Sequence, residues 1–178
     1  MTSGPASFGV LGIGNVLMGD DAIGPYAISL LQSRWEWPET VHLIDAGTPG
    51  PELALMMQSF AVVVVVDAVN TGAVPGTLVR LGREALAAAA PSPARTPHDP
   101  GLTAALLQLE LLEDRPRDVT LLGVAPDRNN TDTGLSLAAR SALPGLMAMV
   151  MEELARHGIF PQERDNPLPE DIWWERKP

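Results

Sequence analysis

Ala61-Val-Val-Val-Val-Val-Asp67 is the stretch that decides the fold. Five β-branched residues in a row lose side-chain freedom in a helix and suit a strand. An unbroken apolar run, with no polar alternation, suits a strand covered on both faces, as in a parallel sheet between helices. Two shorter runs precede it: residues 8–13, leading into Gly12-Ile13-Gly14-Asn15, and residues 41–45, ending at Asp45. Beyond it, Pro75-Gly76 turns the chain into residues 77–81, a further strand, parallel or at an edge, and residues 119–124 read as the last strand.

Helical patterns fill the intervals. In residues 22–33, Ile23, Ala27, Leu30 and Leu31 share one face. Gly50-Pro51 opens a short helix to about Ser59, Asp99-Pro100 starts one over residues 102–112, and residues 145–157 form another, closed by Gly158. Residues 84–94, rich in alanine and proline, read as a frayed helix or a loop that lets the segment beyond it move. Strands alternating with helices predict an α/β, three-layer sandwich with a mostly parallel, twisted sheet between helices. Strand order is not legible. Residues 1–160 read as a single domain. Residues 161–178, rich in proline and charge, read as a tail that is poorly ordered or docked only by Trp173 and Trp174.

Composition narrows the function classes. A chain of 178 residues, 46% hydrophobic, has enough apolar side chain for one substantial core. Its formal net charge of −10 disfavours non-specific binding to nucleic acid or to an anionic membrane surface. With no cysteine, disulfides, thiolate metal sites and cysteine nucleophiles are excluded. The start, MTSGPASFGV, lacks the basic and apolar regions of a secretory signal, and the longest apolar stretch, residues 53–66, is broken by Gln58 and Ser59. A soluble, cytoplasmic protein is expected; its oligomeric state is not legible.

Candidate chemistry gathers where strands end. In open parallel sheets, ligands bind beyond the carboxyl ends of the strands. Asp21 follows the first strand, Asp45 ends the second and Asp67 ends the valine strand. Each has a bland reading: one of Asp20 and Asp21 caps the helix that follows, Asp45 makes an Asx-turn, and Asp67 sits in a structural turn. Asp67 resists that reading most, because a carboxylate directly after five valines is costly to bury without a purpose. Of the three histidines, His42 lies within a strand and His157 suits a helix C-terminus, whereas His98, between two prolines in a loop, has no structural task. Two or three carboxylates with one imidazole suit a hard-to-borderline metal. Asp127 and Asp132 read as members of a solvated loop.

Other motifs fail. Gly12 and Gly14 suggest a dinucleotide fingerprint, but its third small residue falls at Leu17, so the pair reads as a tight turn. Neither a phosphate-binding GxxxxGK[ST] loop nor a GxSxG elbow is present, and Ser136 carries no signal beyond capping.

Taken together, GIGNVLMGDDAIGP, HLIDAGTPGPEL, VVVVVDAV followed by PGT, TPHDPGL, and LLGVAP followed by TGLS resemble the endopeptidases that mature [NiFe]-hydrogenases. The segments occur in that family's order, over about residues 8–157. The resemblance implies a twisted sheet between helices and an enzyme that removes a C-terminal extension from the hydrogenase large-subunit precursor once nickel is inserted. It implies that Asp21, Asp67 and His98 are the metal ligands, with nickel supplied by the precursor, and that Asp45 is a further acid linked to activity. Members of the family often carry Glu where this chain has Asp21. Either the metal or a carboxylate acting as base could activate the hydrolysis. A non-catalytic nickel-sensing or chaperone module, and a different metal-assisted hydrolase on the same fold, are the alternatives.

Overall fold

The computed structural model describes residues 7–88, 99–112, 115–127 and 133–175. In chain order the elements are β1 (Phe8–Ile13), a 3-10 turn (Gly19–Ala22), α1 (Ile23–Arg34), β2 (Trp35–Glu36), β3 (Val41–Gly47), α2 (Glu52–Gln58), β4 (Val62–Ala68), β5 (Leu78–Gly82), α3 (Arg83–Ala88), α4 (Asp99–Glu110), β6 (Asp118–Val124), α5 (Leu137–Ala155), β7 (Gln162–Glu163) and a second 3-10 turn (Trp173–Glu175).

Five strands form one sheet in the order β3-β1-β4-β6-β5. The first four run parallel, and β5 closes one edge antiparallel to β6. The valine strand, β4, lies at the centre and is buried throughout. Its side chains alternate: Val62, Val64 and Val66 face a core built with α1 and α5, and Val63 and Val65 face a second core built with α2 and α4. Helices on both faces are why no residue of the run is polar. The expected three-layer α/β sandwich is therefore the architecture.

Two glycines set how tightly the layers meet. A Cβ on Gly24, in the first turn of α1, would lie 2.2 Å from the Ile13 carbonyl oxygen and 2.6 Å from that of Val66. The helix thus starts directly on the backbone of β1 and β4, at their carboxyl ends. Gly14, at φ +149°, is equally confined: its Cβ would lie 1.8 Å from the Asp21 carbonyl oxygen. The Gly12-x-Gly14 pair makes the tight turn expected after β1, and Gly12 also lets α1 approach the strand closely.

Two elements differ from the sequence reading, and part of a third follows one of its alternatives. The last helix begins at Leu137, not near Gly145, and carries Pro144 inside it. Proline normally ends a helix because it cannot donate to the carbonyl four residues back. Here burial of Leu143, Leu146 and Met147 against the sheet holds the helix through the proline, and Ser136 caps it by accepting the N–H of Ala139 at 3.1 Å. Arg83–Ala88 is helical, as one reading allowed; residues 89–94 lie outside the described residues. The tail is docked far more extensively than by two tryptophans. β7 pairs with β2, Leu168 exchanges two hydrogen bonds with Ser33, and Trp174 sets its ring edge-on to Tyr26 at 5.1 Å. The tail follows α1 from its last turn back to its first. Among the described residues, no helix is long and apolar enough to cross a membrane.

Two measurements check this packing. Gly24→Ala forces a methyl group against backbone that cannot yield, so stability falls by ~1–3 kcal/mol. Thermal unfolding followed by circular dichroism reads this as a lowered Tm, and an unchanged Tm contradicts the packing. Tyr26 is the chain's single tyrosine, so its ionisation can be followed by tyrosinate absorbance without interference. Burial, with the Glu175 carboxylate beside it, pushes its hydroxyl up to about 12. Because the fold favours the neutral phenol, this contribution to stability is full below pH ~10 and is lost as pH rises further. Glu175→Gln should bring the midpoint down from about 12 toward the ordinary tyrosine value. A native midpoint near that ordinary value in the unmodified chain would show the tail undocked.

Candidate active site

The carboxyl ends of β1, β3 and β4 lie side by side. Gly12 of β1 is level with Asp45 of β3 on one side and with Val66 of β4 on the other. Asp67 stands one residue beyond, the next-to-last residue of β4, and is 0% exposed. Its Oδ1 accepts the N–H of Ala68 at 2.7 Å. By strand alternation its side chain leaves on the α2/α4 side, in line with Val63 and Val65.

Asp21 reaches the same end by another route. Leaving β1, the chain turns at Gly14, and the 3-10 turn Gly19–Ala22 carries Asp21 back against β4. Asp21 is 8% exposed, and its Oδ2 accepts the N–H of Asn15 at 2.8 Å. Gly24 presses the start of α1 onto Ile13 and Val66, which fixes the height of this turn above the strand ends. Two carboxylates are thus buried at one end of the sheet, a costly arrangement that ligands or donors must compensate.

Asp45 is placed differently. It is exposed, and its Oδ1 accepts the N–H of Gly47 at 2.9 Å, the Asx-turn considered from sequence. Leu43 packs with the α1/α5 core and Ile44 and Ala46 with the other, so Asp45 leaves its strand on the face opposite to Asp67. It belongs to the rim of this end. His98 lies outside the described residues. α4 begins at the next residue, and its direction is fixed at its far end, where Glu110 pairs with Arg83 at the close of β5. Because Gly82 is level with Thr120 near the start of β6, the far end of α4 lies at the foot of the sheet. The first turn of α4 therefore stands at the carboxyl end of the strands, on the face that Asp67 enters.

Sequence reasoning did not foresee what Asp20 does. This neighbour of Asp21 is 3% exposed. Its carboxylate accepts the N–H of Ser136 at 2.6 Å, the O–H of Ser136 at 2.8 Å and the N–H of Asp127 at 2.8 Å. The signal was the Asp20-Asp21 doublet, but the expected cap on α1 is not made: Ala22 holds that position without a side-chain cap, and Asp20 is held by tertiary contact instead. Beyond the ends of β4 and β6, a recess of about 330 Å³ is lined by Asn70, Pro75, Pro126 and Asp127, among others.

A second group of ionisable residues occupies the opposite end. Asp118, Glu153 and His157 each offer a ligand atom within 4.8 Å of one another and could hold a metal ion. Their own contacts favour a structural role. Glu153, buried on α5, accepts two N–H bonds from Arg80, at 3.0 and 2.8 Å, and the hydroxyl of Thr120 at 3.0 Å. A cation entering there would have to displace a guanidinium already holding that carboxylate.

The geometry is a pair of buried acids at the strand ends of a three-layer sandwich, a fold shared with known proteins. The profile of the HycI hydrogenase maturation protease family matches residues 25–153. The hydrogenase 2 maturation protease of Escherichia coli is 31% identical over 151 residues, which are 84% of this chain and 92% of that protein. The hydrogenase expression/formation protein HupD of Thiocapsa roseopersicina is 30% identical over 158 residues, 88% of this chain and 72% of that one. Among solved structures, the hydrogenase maturating endopeptidase HybD from Escherichia coli superposes with a TM-score of 0.80 at 29% identity, covering 89% of this chain and 98% of that one. With that profile matched over 129 of its 178 residues, this chain belongs to the hydrogenase maturation protease family and is an endopeptidase.

Proposed function

We propose that this endopeptidase removes the C-terminal extension of a [NiFe]-hydrogenase large-subunit precursor, and that Asp21, Asp67 and His98 recognise the nickel the precursor carries. The observation that supports this most is the pairing of two buried carboxylates, Asp21 and Asp67, at the end of the sheet where α4 begins directly after His98. Two carboxylates and an imidazole form a donor set suited to nickel, with coordination positions left for the substrate's own ligands. Nickel is here the substrate's cargo. An unloaded precursor lacks the cation that this donor set would bind, so loading favours docking.

The chain's own groups then have separate tasks. Asp21, held by the Asn15 N–H, presents one carboxylate from the turn. Asp67 presents the other from a strand that cannot shift without disturbing both cores. With the loaded centre gripped between them, the adjacent peptide bond is held in one place for attack by water, which reduces the entropic part of the barrier. One of the carboxylates serves as the base that takes the proton from that water. Asp45, on the exposed rim, is a further acid that acts on the precursor chain outside the buried pair. The reaction places the enzyme with its precursor in the cytoplasm.

The test is cleavage of a nickel-loaded precursor by variants, read by intact mass. Asp67→Asn should lower kcat/KM by ~10²–10⁴-fold, the range for loss of an acid–base group. Its Tm, measured alongside, separates a loss of chemistry from a loss of fold. His98→Ala should fold normally and leave the precursor unprocessed. Asp45→Asn, on the rim, should lose less than Asp67→Asn. Normal processing by Asp67→Asn or His98→Ala would remove those residues from the site. Tight binding of loaded precursor by the unmodified chain with no mass loss would indicate a nickel-sensing module.

A further inference from the structure

Asp20 takes no part in the chemistry set out above, yet it is buried directly beside Asp21. Two adjacent acids in one short turn meet burial in different ways. Asp21 bonds to Asn15, within its own loop. Asp20 reaches across the fold: Ser136 N–H bonds to its Oδ1 at 2.6 Å, and Ser136 O–H and Asp127 N–H bond to its Oδ2, both at 2.8 Å. Those donors belong to the cap of α5 and to the segment that leaves β6. Since Ser136 caps a 19-residue helix, the Asp20 carboxylate also sits at the positive end of that helix's dipole.

We propose that Asp20 is a positioning residue for the peptidase reaction: it anchors the Gly19–Ala22 turn to the start of α5 and to Asp127, and so fixes the direction in which Asp21 presents its carboxylate. The inference rests on the reading of Asp21 as a nickel-facing acid. Consecutive Cα atoms are ~3.8 Å apart, so a shift of Asp20 passes to Asp21 with little loss. A misplacement of ~1 Å can cost ~10²-fold in rate. The anchor also has to be a carboxylate. Each of the three bonds is donated to it, and an amide would turn an NH2 group toward a backbone N–H that cannot reverse its role. Asp127 lines the recess beyond β4 and β6, so the same anchor holds one wall of the space next to the acids.

The experiment compares the full chain with Asp20→Asn, Ser136→Ala and Asp21→Asn on a nickel-loaded precursor, with kcat, KM and Tm measured for each. Asp20→Asn should lower kcat by ~10–100-fold while KM stays within about twofold, because docking is intact and the reacting geometry is not. Ser136→Ala removes one of these bonds and keeps the other two, so its kcat should fall by less than that of Asp20→Asn. A general loss of stability would instead lower the amount of active enzyme and recover on cooling, which the Tm and an assay at lower temperature separate from a true fall in kcat. An Asp20→Asn enzyme with kcat near that of the unmodified chain, or with its loss confined to KM, overturns the proposal. If Asp20→Asn does not fold, an unchanged kcat in Ser136→Ala overturns it and a reduced one supports it. The Asp21→Asn arm separates the two readings: full activity there defeats the assignment of Asp21 itself, whereas an inert Asp21→Asn beside a normal Asp20→Asn defeats only the positioning role.

Discussion

The close approach of α1 to the sheet at Gly24 is the constraint on which the working end depends. With only hydrogens on its α-carbon, this residue lets the helix start in contact with the backbone of Ile13 and Val66. The preceding turn is thereby held low over the ends of β1 and β4, and Asp21 is buried rather than left on a solvated loop. A helix starting even a side chain's width further out would lift that turn and leave Asp21 exposed. The burial of both cores against β4 supplies the rigidity that this placement needs: the strand packs on both faces and cannot relax toward either.

Among the described residues, acids are buried at both ends of the sheet, and each has partners of its own. At the foot, Glu153 is matched by Arg80 and Thr120, and Asp118 lies beside His157. At the top, Asp20 is matched by backbone and hydroxyl donors at the start of α5. Asp21 and Asp67 are buried close by in the fold, with the N–H groups of Asn15 and Ala68 among their donors. A buried carboxylate costs several kcal/mol unless compensated.

Much of this was legible in the sequence, for physical reasons that can be named. The valine run could belong only to a strand covered on both faces, and the acids at strand ends followed from where parallel sheets place ligands. Helix α5 was read short because Pro144 is a local veto that tertiary burial of Leu143 and Leu146 overrides. The docking of the tail was missed because its contacts are distant in sequence and backbone-mediated, such as Leu168 with Ser33, and no composition reports them. The anchoring role of Asp20 was hidden in the same way: its partners, Asp127 and Ser136, lie more than a hundred residues away. Strand order depends on crossovers that local pattern does not encode.

The most direct measurement is the intact mass of a hydrogenase large-subunit precursor after incubation with this protein, in nickel-loaded and metal-free forms side by side. The account predicts loss of a C-terminal peptide from the loaded form alone. Equal cleavage of both forms would contradict nickel recognition by Asp21, Asp67 and His98.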